Sequence, residues 1–220
     1  MSRKLRVVKT VVYEGIAAEQ RLKQLGLDAE GFALSVEKGE YARAEATDND
    51  PLGAAGYDAY RYRIRALREY FCPRGWHKHV EDGLEMIVAD EGARAVITRA
   101  GDSGVGDSKA FPQPQRAVGE STESAVNTGK LAFDPSWFNK PTEATKKEMD
   151  VYMLLVHRSG DIVKSELSLP TKVDERGRVE GWEERIILSV LDLNSEPEKG
   201  TVPNQPTPSE TIDVPVIRKK

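Results

Sequence analysis

Between Tyr60 and His79 the chain reads YRYRIRALREYFCPRGWHKH, and its residue types suit two chemistries. Arg61, Arg63, Arg65, Arg68, Arg74 and Lys78 stand against a single acid, Glu69, a net of five positive charges. Tyr60, Tyr62, Tyr70, Phe71 and Trp76 are interleaved with them. Cations meet phosphates and flat rings stack on bases, so this alternation suits a nucleic-acid strand. The second chemistry is metal ligation. Cys72, His77 and His79 are donors that zinc accepts, and His-x-His puts two imidazoles on one side of a strand. A structural zinc site wants a second ligand pair, yet the only other histidine is His157 and there is no second cysteine. A metal-dependent hydrolase on Cys72, His77 and His79 therefore ranks third among the readings, and no cofactor is expected.

Helical spacing divides the segment. Tyr57, Tyr60, Ile64, Leu67 and Phe71 form one apolar face, and Arg61, Arg65 and Arg68 fall on a neighbouring stripe at i, i+4, i+7. The first face reads as core and the second as surface. The expected nucleic-acid set is Arg61, Arg65, Arg68, Tyr70, Arg74, Trp76 and Lys78, with Tyr70 and Trp76 as stacking rings. Charge is uneven along the chain in the same sense: residues 1–79 hold 14 Lys/Arg against 11 Asp/Glu, and residues 80–220 hold 18 against 25. A polyanion would dock on the N-terminal half.

Other motifs carry less. Gly101-Asp102-Ser103-Gly104 copies a serine-protease nucleophile context, but His77 lies far too close to Ser103 for a two-barrel protease. GDSGVG does not open a helix, as a phosphate loop must. Glu166, Asp174, Glu175, Glu180, Glu183, Glu184 and Asp192 surround the later strands and read as solvated acids. The segment around Gly26, RLKQLGLDAEGFALSVEKG, has a helix-turn-helix outline, but its second helix is net acidic and fits a major groove poorly. No motif identifies a reaction, so the chain reads as non-enzymatic.

The elements that must position these residues follow from pattern. LRVVKTVVY (5–13) is β-branched and strand-like. A helix over about 15–25 ends at Gly26, and a second, about 29–46, is capped by Asp28. Asp50-Pro51 suits the start of a third helix running to Phe71, ended by Pro73 and Gly75. LEMIVA (84–89) and RAVITR (94–99) read as a hairpin. Residues 101–148 read as a polar loop or linker with a helical turn and a short helix near its end. VYMLLVH (151–157), DIVKSELSL (161–169) and 182–192 read as antiparallel strands. The class is α+β: a mainly helical part over 1–79, a hairpin over 80–100, strands over 149–194, all one domain over 1–194 with the helices on one face of the sheet.

Residues 195–220 are Pro-rich and expected to be disordered alone, with Ile212, Val214 and Val216 as an apolar recruiting strip for a protein partner. In plan, with a β-rich body, a spacer and an acidic-apolar tip, the chain resembles bacterial single-stranded-DNA-binding proteins. The tip here continues into Arg218-Lys219-Lys220, which that family's tip lacks, and the helical N-terminal half is foreign to it. One cysteine fits a reducing compartment, and no apolar run approaches the length of a membrane span, so a cytoplasmic protein is expected. The leading expectation is nucleic-acid binding through residues 60–79. The second is a protein-interaction or assembly module working through the acidic C-terminal half or the tail. No oligomeric state is legible.

Overall fold

The computed structural model describes residues 9–89, 93–128 and 149–195. Residues 5–8 of the expected first strand, the expected helical segments over 131–148 and Ile212, Val214 and Val216 lie outside the described residues. The fold is α+β, with four helices and an eight-stranded, mostly antiparallel sheet among the described residues.

The elements run β1 (Val11–Tyr13), α1 (Gly15–Gln24), α2 (Ala29–Ala44), α3 (Ala54–Phe71), β2 (Trp76–Glu81), β3 (Leu84–Ala89), β4 (Arg94–Ala100), α4 (Glu120–Thr128), β5 (Asp150–Ser159), β6 (Ile162–Val173), β7 (Val179–Ile187) and β8 (Leu191–Asp192). Sheet order is β1-β7-β6-β5-β4-β3-β2, with β8 beside β6. Hairpin pairs are antiparallel, whereas β1–β7 and β4–β5 are parallel. The two parallel pairs close long excursions of the chain.

Strand β5 explains why both faces are covered. Its VYMLLV run has no polar alternation, and all six residues are buried. A strand buried on both sides reads as continuous apolar sequence. Tyr152 and Leu154 face α1–α3, where they meet Leu22, Phe32, Leu67 and Phe71. Met153 and Leu155 face the other way, against Val105, Val118, Ala125 and Trp182. Burying each large side chain contributes about 1.5–3 kcal/mol. The first three helices thus share one face, and α4 covers the other with the 101–118 segment.

That segment differs from the expected loop or linker. Gly101 bridges to Pro114, Val105 is fully buried, and the Trp182 indole donates to the Pro112 carbonyl at 3.1 Å. Gln113 pairs with both backbone groups of Val179. Val118 N–H donates to Gly177 O at 3.0 Å, and Gly177 has φ +72° with no room for a Cβ against the Val118 backbone. Few apolar anchors hold a polar segment flat because each finds a specific partner.

Helices α2 and α3 form a tight antiparallel hairpin. A Cβ at Gly31 would overlap Phe71, and one at Gly39 would overlap Arg63. The Ser35 hydroxyl donates to the Arg63 carbonyl at 3.0 Å. Small residues every fourth position bring the backbones close. Asp28 caps α2 as expected, accepting from Gly31 N–H. The expected start of α3 at Asp50-Pro51 is corrected. Asp50 instead accepts from the backbone and hydroxyl of Thr47, which holds its carboxyl below the usual range, and α3 begins after Gly53 in the left-handed region. The Asp side chain closes the preceding turn, so it is not free to cap a helix.

Candidate functional site

Helix α3 carries the basic-aromatic segment, and its outer face is charge-balanced. Arg61 pairs with Asp58 at 3.3 Å, and Arg65 with Glu69 at 2.7 Å, each within one helical turn. Both guanidinium groups also approach the Tyr62 ring, at 4.9 and 5.9 Å from its centroid. One aromatic ring flanked by two cations and two acids is a salt-bridge-laced solvent face.

Arg68 leaves that face altogether. Its Nη2 donates to Glu85 at 2.5 Å and to the His79 carbonyl at 3.1 Å, fastening α3 to β2 and β3. Trp76 is only 3% exposed; it packs on Phe71 and donates to the Gly26 carbonyl at 3.0 Å. It therefore offers no ring face to a base. Tyr70 lies half-buried at the end of α3, donating to Glu30 at 3.1 Å, with Arg74 3.9 Å above its ring. Burial, with Asp28 and Glu30 beside it, pushes its phenol up to about 12. Of the seven residues expected to act together, the structure leaves Arg61, Arg65, Arg74 and Lys78 exposed and ties Arg68, Tyr70 and Trp76 into the fold.

Arg63, set aside in sequence as lying off the stripe, is 2% exposed between α2 and α3. Burial lowers its pKa to about 10, and its Nε donates to the Ala59 carbonyl. Nearby Glu40, also buried, receives Arg43 at 3.1 Å and Arg158 at 3.5 Å.

The Cys72, His77, His79 alternative does not assemble as one ligand set. Cys72 sits in a 3-10 turn before β2, and burial pushes its thiol up, away from the thiolate a metal needs. His77 and His79 lie on β2 opposite Val88 and Met86, on the side of the sheet that α4 shares. Burial lowers the His79 pKa, partly offset by Glu81 at 3.8 Å. Among the described residues no group of three or more His, Cys, Asp or Glu could hold a metal ion.

The acids do assemble, but as structural pairs. Glu166 is fully buried on β6; it receives both the Nε and Nη2 of Arg185, at 2.9 and 2.7 Å, and the Ser168 hydroxyl. Arg185 reaches on to the carbonyls of Ala110 and Asp107, and Glu166 accepts from Gly106 N–H. This network is what pins the 101–118 segment to the sheet. On the opposite face Glu184 takes a bidentate pair from Arg21 and the Tyr152 hydroxyl.

Two features escaped the sequence reading. Asp82-Gly83, both at positive φ, turns β2 into β3, and Asp-Gly between strands is a hairpin signal. Arg99, an unremarked residue of RAVITR, proves to be largely buried. Its Nη2 donates to the Thr122 hydroxyl at 2.6 Å, and no carboxylate meets it among the described residues.

Comparison with protein-family models, with curated proteins and with solved structures found no match for this chain. No helix of the described residues is long and apolar enough to cross a membrane.

Proposed function

We propose that this chain works by association rather than by bond-making, as a protein-interaction module whose contact surface is the turn end of the α2–α3 hairpin. The observation that carries this reading is three exposed large apolar side chains at that one end: Tyr41 late in α2, Leu52 in the turn and Tyr57 in the first turn of α3. Tyrosines and leucines in the open are the residues that anchor interfaces, and grouping distinguishes them from scattered exposed apolars. Glu45, Asp48, Asp50 and Asp58 fringe them. The fitting partner is a protein surface with an apolar recess and a basic rim.

The test places a photo-crosslinking residue at position 52, with a control at Lys172 on the sheet side. The reading expects one discrete adduct from position 52 alone, lost in Tyr41→Asp/Tyr57→Asp while the melting temperature holds, with a basic-rimmed recess on the captured protein. Equal labelling from both positions would overturn it.

A nucleic-acid reading keeps one supporting observation. Arg74 and Lys78, on either side of Gly75, have no acidic partner among the described residues. Arg61 and Arg65 could join them, since exposed ion pairs are weak and exchange readily for phosphate. The surface is then backbone-binding, with Tyr62, between Arg61 and Arg65, as an aromatic element. Anisotropy of a labelled single-stranded oligonucleotide across a salt series tests it. Binding should weaken with salt in proportion to the few phosphates engaged and fall in Arg74→Ala/Lys78→Ala. Binding indifferent to salt, or to that double substitution, ends this reading.

A further inference from the structure

Residues 41–58, at the turn end of the α2–α3 hairpin, hold Glu45, Asp48, Asp50 and Asp58 against one cation, Arg43. Arg43 is turned to Glu40 at 3.1 Å, and Asp58 is met by Arg61. Asp50 is held by Thr47. Glu45 and Asp48 are exposed and enter no ion pair among the described residues. Tyr41, Leu52 and Tyr57 stand in the open among these acids. Apolar side chains fringed by acid call for an occupant that is apolar and basic at once.

The chain's own sequence holds such a segment. Ile212, Val214 and Val216 alternate as an extended strip would, and the run continues into Arg218-Lys219-Lys220. Over 212–220 three cations stand against one acid, Asp213, the opposite balance to that of 41–58.

The chain also leaves the described structure at the matching end. Ser195 is the last described residue before this segment. The Leu193 N–H donates to the Asp161 carbonyl and the Asn194 amide to the Asp161 carboxylate, each at 2.9 Å, so the exit lies beside the β5–β6 turn. Arg158, just before that turn, reaches Glu40 of α2 at 3.5 Å, one residue ahead of Tyr41. From Ser195 to Ile212 is 17 residues. Such a span covers about 20–25 Å as a flexible coil and about 53 Å as a proline-rich extended chain. The route from Asp161 through Arg158 to Glu40 is a few side chains long and falls inside that reach. Tethering sets an effective concentration on the order of mM, so a contact too weak for two free molecules is enough.

We infer that residues 212–220 dock in the same molecule on the surface formed by Tyr41, Leu52 and Tyr57, the apolar strip on those side chains and the three cations toward Glu45 and Asp48. The inference rests on reading that end of the hairpin as a contact surface. The segment then regulates it: a protein partner must displace 212–220 to bind.

The experiment places a photo-crosslinking residue at position 52 of the purified full chain, with the control at Lys172, and maps the linked peptides by mass spectrometry. An intrachain link from position 52 to 212–220 is expected, its yield independent of protein concentration. Arg218→Glu/Lys219→Glu/Lys220→Glu, which leaves the described fold untouched, should cut that yield about threefold or more, and so should Glu45→Lys/Asp48→Lys. Combining the two reversals should restore it. No such link, a link indifferent to both reversals, equal linkage from Lys172, or a linked dimer that grows with concentration would each overturn the contact. A second arm repeats the partner capture in Ile212→Asp/Val214→Asp/Val216→Asp, where the partner adduct should rise about threefold or more. A partner adduct equal in both chains, with no intrachain link, leaves the contact surface standing and ends the docking of 212–220. An intrachain link with no partner adduct keeps the docking and ends the reading beneath it.

Discussion

Arg185 is buried and Arg99 half-buried, and they are completed in opposite ways. Arg185 reaches from β7 into a closed set: the Glu166 carboxylate with two bonds, then two loop carbonyls. Arg99 reaches from β4 to the Thr122 hydroxyl and, at 3.4 Å, to the Thr98 carbonyl, and meets no carboxylate among the described residues. The first arrangement is a fastening, since every guanidinium nitrogen has a protein acceptor and a segment of chain is held by it. The second has donors in excess among the described residues. A buried cation earns a structural reading from its partners, and burial alone does not confer it.

The comparison can be broken most sharply at Glu166. Glu166→Gln should cost about 3–5 kcal/mol in urea unfolding, because Arg185 stays buried and loses its counter-charge. Hydrogen exchange should rise across 101–118 at the same time. Glu166→Leu combined with Arg185→Met should recover most of that loss, since removing both charges also removes their desolvation cost. A double variant as unstable as the single would show that the loop carbonyls, left unpaired, carry the penalty.

Arg99→Met should act in the opposite direction, raising stability by about 1 kcal/mol through removal of an uncompensated cation. Loss of stability in this variant would make Arg99 a fastening like Arg185. The smallest effect concerns His79, beside Arg68. Its folded pKa is depressed below 6.5 by burial, so the unfolded chain binds more protons in the window just beneath that value. Stability should therefore decline as pH falls through 6.5 toward the folded pKa, and His79→Gln should flatten the slope. Equal pH profiles for the two proteins would show that His79 is solvated as freely as in the unfolded chain.

Much of the scaffold was legible in sequence. VYMLLV read as a strand, though its cover on both sides did not, and Asp28 read as the cap of the helix that follows it. The α3 division was also legible: Ile64, Leu67 and Phe71 are core, and Arg61 and Arg65 are outside. Tyr57, placed by spacing on the core face, is exposed because it sits at the start of α3 beyond the sheet. What spacing cannot report is a partner remote in sequence. Arg68 finds Glu85, and Trp76 finds Gly26, because β2 folds back under α3; WHKHVE, rich in charge, gives little sign of a strand. The 101–118 segment looked unanchored because its anchors, Glu166, Arg185 and Trp182, lie far along the chain. Arg99 sits in a strand pattern where one arginine draws no notice. Its meaning depends on which acids are absent around it in space.

The short parallel pair of β1 with β7 carries a consequence for how the chain reaches this state. Thr10, next to β1, donates to the Trp182 carbonyl across 172 residues. Loops of that span close late, and topologies rich in them fold slowly. During synthesis the first strand must wait, without its neighbour, until β7 has left the ribosome. Over that interval α1 would lack the Glu184 carboxylate that holds Arg21. The helical hairpin α2–α3, whose contacts are local, is free to form well before.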